Sequence, residues 1–532
     1  MEAFSQLLEQ LYFTNRQTTK ARAIKHYLAT TPDPDRGWAI AALAGTLRFD
    51  LFKRALIRQL LLERTDETLF NLSYDYVGEM SETVAHLWPT AAPVSHTKPL
   101  PSLSTVVETF RSADKDQIRT FLIYLLNTMN PAQRWALLKL GTRGMRVGVS
   151  GRSVKRILAD YGNQPLNEIE SLWHGVEPPY TELLQWLDGD AEKPDVSDRV
   201  TFNPVLLAQP LDETKLADAD SDYLTIADWQ VEWKYDGIRV QLVSTPNGKA
   251  LFTRTGDDIS HSFPDLLVQV DFHAIFDGEL LIIEAGKVGS FNELQQRLNK
   301  KKPSLKLQTR LPVGIMVYDA LSIGDDKLTE QPLRSRRQYI EHWFAQQTRA
   351  CFYLSERLSV DSIAALKQLR ETATDNQHNA IEGLMLKRLD SCYVSGRPAN
   401  HWLKWKRDPL QVDAIMMYAQ RGHGKRSSYY SDFTFGVWLQ DTIVPIGKAY
   451  SGFTDAELKR LDRWVRQNTV GRFGPVKEVK KALVLEIAFD SVHPSNRHKS
   501  GVALRFPRIS RIRWDKPADE ADTLATVQQL IG

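Results

Sequence analysis

Apolar residues recur with a helical period through the first part of the chain. One such group should end at Asn130 and Pro131, and its members share one helical face: Ile118, Phe121, Leu122, Leu125 and Leu126. Thr105 and Glu108 have the spacing of a capping box, which predicts the start of the preceding helix. The pattern predicts that residues 1 to about 185 are mostly helical.

The pattern changes after residues 187–200, which are polar, lack periodicity and are typical of a linker. From about 203 to 408, short strands with alternating polarity are interspersed with helices, as in an α/β or α+β domain. Ser290 and Glu293 have capping-box spacing and should open a helix that turns Phe291, Leu294 and Leu298 inward.

After Asp408 the chain alternates as a β protein does, most clearly at Phe433, Phe435, Val437 and Leu439. Thr454 and Glu457 should cap one helix within this region. A five-stranded barrel with one inserted helix, of the oligonucleotide-binding (OB) type, fits this size. The fold class predicted is therefore multidomain α+β, with an all-α domain at 1–196, an α+β domain at 197–409 and an OB-fold β-barrel at 410–532.

Composition mainly excludes certain classes of protein and kinds of site. The 532 residues are 42% hydrophobic and 25% charged, with a net charge of +3, which is ordinary for a folded protein and too mild to identify a nucleic-acid partner. The two cysteines, Cys351 and Cys392, exclude a four-thiolate zinc site and make a disulfide framework unlikely. The N-terminus lacks an apolar segment and no run approaches a membrane span, so a cytoplasmic protein is expected.

Charge becomes informative locally, between residues 134 and 156. This stretch holds seven basic residues and no acidic one: Arg134, Lys139, Arg143, Arg146, Arg152, Lys155 and Arg156. A solvated helix face usually mixes signs, so a one-sign stretch with interleaved glycines favours contact with phosphates. We take Arg143, Arg146, Arg152 and Lys155 as the candidates for nucleic-acid backbone contact; a merely basic surface is the alternative.

The candidate chemistry centres on residues 232–239. Trp229, Val231 and Trp233 alternate before a Tyr-Asp-Gly turn, which places Glu232 and Lys234 on the opposite strand face. The alternation resumes after the turn, so a hairpin-like element is predicted. Lysine is a usable nucleophile when desolvation or nearby positive charge lowers its pKa, although for this stretch alone a surface hairpin with a glycine turn is the favoured interpretation.

Five further polar islands follow within apolar strands. Each combines carboxylates, cations or aromatic residues with a strand pattern: Phe252–Gly256, Phe276–Leu280, Val313–Leu321, Ile381–Lys387 and Trp402–Lys406. Carboxylate oxygens can hold Mg²⁺ while cations balance phosphates, which is what a metal-bound nucleoside triphosphate requires. Any one island could be a structural ion pair, but the ordered set favours nucleotide chemistry.

The islands together closely resemble the motifs of the covalent nucleotidyltransferase superfamily and, within it, of the ATP-dependent DNA ligases. The motifs appear in family order: Lys234–Arg239, the Arg254 island, Asp277–Glu279, Val317–Asp319, Glu382–Lys387, Lys404–Lys406, and a C-terminal motif at Leu504–Arg508 and Arg513–Lys516. The stretch Arg146–Ser150 is similar to the helical DNA-binding domain found in bacterial members. The resemblance spans the chain, and it identifies the three predicted domains as DNA-binding, nucleotidyltransferase (adenylation) and OB-fold domains.

The resemblance implies a role for each matched residue. Lys234 would be the catalytic nucleophile that carries AMP, and Glu382 and Glu279 would hold metal. Glu232 would contact the amino group of adenine, Tyr318 would stack on the adenine ring, and Glu279 would also contact the ribose. The resemblance implies further ATP contacts for Arg239, Arg254, Lys404, Lys406, Arg513, Asp515 and Lys516. The family more often has Phe at the position of Tyr318, so its hydroxyl needs a partner.

The implied function is an ATP-dependent DNA ligase that uses ATP and Mg²⁺ (or Mn²⁺) and seals nicked duplex DNA, as a monomer. An RNA ligase and an mRNA capping enzyme share the central motifs, and the long basic N-terminal region favours duplex DNA over both. An NAD-dependent ligase is disfavoured because its zinc-finger cysteines are missing. A non-catalytic DNA-binding protein with a decayed nucleotide fold is the alternative of a different class, and the presence of Lys234, Glu382, Lys404 and Lys406 together argues against it.

Overall fold

The structure is a computed structural model, and it describes residues 1–77, 79–89, 99–142, 145–196, 199–217, 223–298, 300, 302–346, 349–373, 380–422, 428–495 and 498–531. These residues divide into two compact units, Met1–Arg199 and Val200–Gly532. The division falls within the polar stretch predicted to be a linker.

The first unit is helical throughout its described part. Its helices are α1 Glu2–Phe13, α2 Gln17–Thr30, α3 Asp35–Ala44, α4 Arg54–Leu62, α5 Glu67–Val77, α6 Met80–Leu87, α7 Leu103–Ser112, α8 Lys115–Thr128, α9 Pro131–Thr142, α10 Gly151–Tyr161, α11 Leu166–Trp173 and α12 Thr181–Asp188. They enclose one hydrophobic core, to which nearly every helix contributes buried aliphatic or aromatic side chains. In the described ranges, no helix is both long and apolar enough to cross a membrane.

Local signals at α7 and α8 explain where these helices begin. The predicted stripe on α8 is confirmed, since Ile118, Leu122, Leu125 and Leu126 are all buried. The cap predicted at Thr105 is wrong: Ser102 caps α7, because its side chain accepts a hydrogen bond from the Thr105 backbone N–H. Ser102 and Thr105 are both good capping residues, and local spacing alone does not decide between them.

The second unit combines strands with short helices. Its strands are β1 Gln209–Pro210, β2 Trp229–Tyr235, β3 Ile238–Thr245, β4 Gly248–Thr253, β5 Ala274–Glu284, β6 Lys287–Val288, β7 Val313–Ile323, β8 Asp326–Lys327, β9 Phe352–Leu354, β10 Ile381–Arg388, β11 Trp402–Lys406, β12 Leu410–Arg421, β13 Tyr430–Leu439, β14 Thr442–Ala449, β15 Thr469–Phe473, β16 Val476–Val479, β17 Val484–Phe489, β18 Ser491–Pro494, β19 Val502–Arg505 and β20 Arg508–Arg513. Its helices are α13 Glu213–Ala217, α14 Pro264–Val268, α15 Phe291–Leu298, α16 Leu305–Arg310, α17 Leu333–Gln346, α18 Ile363–Thr372, α19 Asp455–Gln467 and α20 Leu524–Gln529.

Two sheets form the part of this unit before residue 409. One has the order β4-β3-β5-β7-β8, with β6 paired to β5 and β9 to β7, and the other has the order β1-β11-β10-β2. The predicted hairpin of β2 and β3 is wrong, because β2 pairs with β10 and β3 pairs with β4 and β5. Alternation predicts a strand but not the strand with which it pairs. Gly237, between β2 and β3, packs so closely against β5 that a Cβ there would lie 2.5 Å from the Leu280 carbonyl oxygen.

The remaining residues form the OB-like part, built on a curled sheet. The strand order of this sheet is β14-β13-β12-β16-β15, and β17 pairs with both β12 and β20. β18 and β19 form a separate two-stranded sheet. The OB-like part therefore has more strands than the five predicted. The inserted helix is α19, whose predicted capping box of Thr454 and Glu457 is confirmed and whose Leu458, Leu461 and Val465 are buried. The capping box of Ser290 and Glu293 at α15 also forms.

Candidate active site

A cavity of about 450 Å³ lies in the second unit between its first two sheets, and we call it the junction pocket. Nine predicted residues line it: Glu232, Lys234, Arg239, Arg254, Glu279, Tyr318, Glu382, Lys404 and Lys406. They come from β2, β3, β5, β7, β10 and β11 and from the turn after β4. Residues far apart along the chain therefore converge because strand pairing brings these polar islands to one place.

Lys234 and Glu382 form the centre of the junction pocket. Their strands are neighbours, with Lys234 opposite Gly383, and the Lys234 ammonium forms a short hydrogen bond to Glu382 Oε1. Burial raises the pKa of Glu382, but Lys234 and Lys406 more than offset this, so its pKa lies below the ordinary value. Gly383 permits the arrangement: its φ is +141°, and a Cβ there would lie 2.2 Å from the Trp405 carbonyl oxygen.

Two more lysines extend the positive charge along β11. Lys406 Nζ lies 2.8 Å from Glu382 Oε2 and 3.4 Å from Asp490, and these carboxylates outweigh its burial and raise its pKa. Burial lowers the pKa of Lys404, and the neighbouring cations, Lys234 foremost, lower it further. A cluster of cations with too few carboxylates to neutralise it is suited to bind phosphate groups.

Opposite the lysines, Glu279 and Arg239 extend from neighbouring strands. Burial raises the pKa of Glu279 to about 8 although Lys234 and Arg239 oppose the shift. Arg239 forms a bidentate pair with Asp277, at 3.0 and 2.6 Å, and the Tyr393 hydroxyl donates to the same carboxylate at 2.5 Å. Arg239 is therefore rigidly held, whereas Arg254 is exposed at the end of β4.

The far end of the junction pocket is more apolar. Tyr318 meets Trp402 edge to face, with ring centroids 6.0 Å apart, and Met385 lies in the same wall. Glu232 is buried beneath them, and Lys387 lies 2.9 Å from it. Flat aromatic and thioether surfaces with one acidic side chain are suited to a heterocyclic base.

Three predicted nucleotide contacts, Arg513, Asp515 and Lys516, do not line the junction pocket. Arg513 and Lys516 contact Asp413 at 3.2 and 2.7 Å, and Arg513 also pairs with Asp515 at 3.0 Å. The OB-like part instead contributes Asp490, Arg505 and Phe506 to the lining, and Arg505 forms a short ion pair with Asp236.

The sequence analysis missed several pocket residues. Lys387 alternates with Met385 on β10, so period two places both in the pocket, although the motif that contains Lys387 implies no separate role for it. Arg397 and Arg505 also line the pocket. Arg505 pairs with a residue 269 positions away, and no local pattern signals such a contact.

Comparison with known proteins agrees with this geometry. The family model described as ATP dependent DNA ligase domain matches residues 207–406, and that described as ATP dependent DNA ligase C terminal region matches residues 426–516. The chain belongs to the ATP-dependent DNA ligase family. The first matched region contains the nine predicted residues that line the junction pocket, and the second contains the Arg513–Lys516 segment of this ligase family's C-terminal motif.

Relatives extend the match beyond these two regions. The chain is 29% identical over 562 residues to a probable DNA ligase of Koribacter versatilis, covering 100% of the chain and 96% of that protein. It is 27% identical to DNA ligase 2 of Methanosarcina acetivorans, covering 76% of the chain and 72% of that protein. The solved structure described as Pmar-Lig_PreS3 has the same fold, with a TM-score of 0.60, 15% identity, and coverage of 96% and 99%.

Only some of the basic residues between positions 134 and 156 lie on the surface of the first unit. Arg134 is 2% exposed and donates to the Leu126 and Trp88 carbonyls at 2.6 and 3.2 Å, and Lys139 is 3% exposed and lies 3.3 Å from Glu79. The interpretation of seven surface cations is therefore wrong for these two, which lie on the inward side of α9.

The four candidates for backbone contact differ in exposure. Arg146 and Arg152 are exposed, and Lys155 is partly buried, which lowers its pKa. Arg143 lies outside the described residues.

Proposed function

We propose that the chain seals nicks in duplex DNA by three nucleotidyl transfers, with Lys234 as the residue that carries AMP. The observation that supports this most directly is the position of Lys234 Nζ in the junction pocket, where Glu382 pairs with both Lys234 and Lys406 of β11. The steps are adenylation of the protein, transfer of AMP to the 5′-phosphate at the nick, and attack by the 3′-hydroxyl.

In the first step, Lys234 Nζ attacks the α-phosphorus of ATP. An N–P bond forms, the bond from the α-phosphorus to the bridging oxygen breaks, and pyrophosphate leaves with the electron pair. The ammonium must first lose a proton to solvent, and Glu382 Oε1, which accepts its hydrogen bond, orients Nζ for the attack. Lys404 and Lys406 stabilise the charge that develops on the α-phosphate.

The remaining pocket residues orient the nucleotide. Tyr318 stacks on adenine, Glu232 accepts from its amino group, and Glu279 contacts a ribose hydroxyl. Arg239 and Arg254 contact the ribose or the 5′-phosphate of the nick. Arg513, Asp515 and Lys516 orient the pyrophosphate, which requires the OB-fold domain to turn toward the pocket because they now pair with Asp413 and with each other.

A divalent cation fits this residue set. Within the described chain, no side chain donates a hydrogen bond to Glu279, and the nearby charges of Lys234 and Arg239 do not offset its burial, which raises its pKa to about 8. Glu279 and Glu382 offer the hard carboxylate oxygens that Mg²⁺ or Mn²⁺ prefers. When bound, the cation would neutralise charge on the phosphate oxygens.

The DNA partner is bound through its phosphates as well as at the pocket. Arg143, Arg146, Arg152 and Lys155 contact the duplex backbone, in a DNA-binding domain at 1–196 that precedes an adenylation domain at 197–409 and an OB-fold domain at 410–532. The protein acts as a monomer in the cytoplasm, where it finds both ATP and DNA.

The test has two stages. Incubation with α-labelled ATP and Mg²⁺ should yield an acid-labile label on the protein, and sealing should then be compared on nicked DNA, nicked RNA and mixed duplexes. Sealing of nicked DNA with poor sealing of nicked RNA is expected. Preferential sealing of RNA would overturn the DNA assignment and favour an RNA ligase, and the lack of any label would overturn the adenylation mechanism.

A further inference from the structure

The base end of the junction pocket rests on a buried polar cluster around Glu232. Glu232 and Lys387 are each 1% exposed, and Lys387 Nζ lies 2.9 Å from Glu232 Oε1. Gln230 Nε2 donates to the same oxygen at 2.6 Å, and the Ser355 hydroxyl donates to Oε2 at 2.7 Å. The carboxylate is therefore fixed by donors on both oxygens.

This cluster leaves Glu232 with limited accepting capacity. A carboxylate has about four acceptor positions, and Gln230, Lys387 and Ser355 occupy three of them. Glu232 also lines the junction pocket, so the remaining position is available to a ligand there. A ligand group that meets it must be a hydrogen-bond donor.

Lys387 and Ser355 are themselves held in place. Lys387 Nζ also donates to the Tyr318 carbonyl at 3.1 Å and lies 4.3 and 4.7 Å from the ring centroids of Tyr318 and Trp402. The Ser355 N–H donates to the Val317 carbonyl at 2.8 Å, and the Ser355 carbonyl accepts from Arg337 at 2.7 Å. Neither side chain can follow Glu232 if that carboxylate turns.

We propose that Lys387 and Ser355 are positioning residues that keep Glu232 an ionised, correctly oriented acceptor, so that the pocket selects a 6-amino purine and rejects a 6-oxo purine. This inference rests on the proposed function, because it concerns the base of the nucleotide that Lys234 attacks. A 6-oxo group would place its lone pairs against those of the carboxylate, with no donor between them.

The role of Lys387 follows from its charge. Burial lowers the pKa of Lys387, and the negative charge of Glu232 opposes that shift. In a buried ion pair of this kind, each charge is stabilised mainly by the other. Removal of the ammonium leaves a buried carboxylate without its counter-ion and frees the position on Oε1 that Lys387 holds. A carboxylate that is no longer held at that position can turn away from the base, so selection against a 6-oxo group should weaken.

The experiment measures kcat/KM for self-adenylation with ATP and with inosine triphosphate, which carries an oxygen in place of the 6-amino group. Lys387→Met should reduce the ratio of the two values by roughly 10- to 100-fold, and Ser355→Ala by a smaller factor, because a charged hydrogen-bond partner contributes more than a neutral one. Lys387→Arg, which keeps the charge, should restore part of the preference. The ratio is the decisive readout, since a loss of folded protein lowers both values equally.

Arg297→Met provides the matched control. Arg297 is 0% exposed and pairs with partly exposed Asp265 at 2.5 Å in the same unit, so its removal also takes a buried cation out of an ion pair but should leave the ratio unchanged. An unchanged ratio in both Lys387→Met and Ser355→Ala would overturn the positioning role. If the wild-type protein formed no adduct with ATP, the proposed function itself would fail, so the two failures are distinguishable.

Discussion

Two groups of basic residues, one in each unit, have different surroundings. In the helical unit, buried Arg134 is satisfied by backbone carbonyls, whereas Arg152 is exposed to solvent. In the junction pocket, by contrast, cations are held by carboxylates while they still line a cavity. Lys234 and Lys406 share Glu382, and Arg239 is held by Asp277.

Access to a cavity separates the two groups, rather than the number of basic residues or a carboxylate partner, because buried Lys139 also pairs with a carboxylate, that of Glu79. A cation tied to carbonyl oxygens at helix ends is part of the helix termination and is not available to a ligand. A cation shared with a carboxylate can exchange that partner for a phosphate, because both are anionic oxygen acceptors.

The prediction with the largest expected effect concerns Lys234 in the junction pocket. Lys234→Ala should lower formation of the protein–AMP adduct by at least roughly 1000-fold, because the nucleophile is removed. Lys234→Arg should fail as well, since a guanidinium stays protonated. The measurement is acid-labile label from α-labelled ATP, with Lys287→Ala, an exposed lysine on β6, as the control that keeps the label. Label on either Lys234 variant would show that another residue carries AMP.

The next prediction tests the helical side. Arg134→Ala should lower the free energy of unfolding of the first unit by about 3 kcal/mol, because it leaves two buried carbonyls unpaired and a cavity. Arg152→Ala should change that free energy by less than about 0.5 kcal/mol but weaken binding to nicked duplex and reduce the salt slope by about 1. Denaturant unfolding and a salt titration of binding measure these quantities. Equal stabilities of the two variants would contradict the structural role of Arg134.

A smaller effect is expected in the OB-like part. Lys516→Ala should slow self-adenylation by roughly 10- to 100-fold, because one cation that orients the pyrophosphate is lost. Sealing of a nick that already carries AMP should change little, since pyrophosphate has departed by then. Equal losses in the two assays would show that Lys516 serves the fold through Asp413 and not the leaving group.

The smallest expected effect concerns Glu279, whose pKa burial raises from 4.5 to about 8. The folded protein keeps a proton that the unfolded chain releases, so the stability contributed by this group falls as pH rises through that window. Glu279→Gln should therefore melt roughly 2 °C or more above the wild type at pH 9, and the difference should vanish near pH 5. Glu284→Gln, an exposed carboxylate on the same strand, should show no such trend. A constant difference at all pH values would contradict the raised pKa.

Local patterns predicted the elements of this fold well. The period-two alternation at Phe433–Leu439 corresponds to a strand, and the capping boxes at Ser290 and Thr454 mark the helices they were expected to mark. These features depend on side chains within a few residues of one another, which a sequence displays directly.

Pairings over long distances could not be predicted in the same way. The partner of β2 is β10, and Asp413 binds Lys516 103 residues later, because tertiary packing selects among many compatible strands and charges. The family resemblance brought together Lys234 and Glu382, which local spacing could not. The same resemblance did not reveal the buried partners of Glu232, which depend on Ser355, a residue outside every motif.

The pairing of β2 with β10 has a consequence for protein synthesis. Lys234 and Glu382 are 148 residues apart, so at about 5–20 residues per second the ribosome synthesises Lys234 roughly 7 to 30 seconds before its carboxylate partner. During that interval the pocket lacks β10 and β11, the strands that carry Glu382, Lys404 and Lys406. Premature termination before β10 therefore yields a fragment that contains Lys234 but lacks β10 and β11 of its sheet, so under the proposed mechanism it should not become charged with AMP.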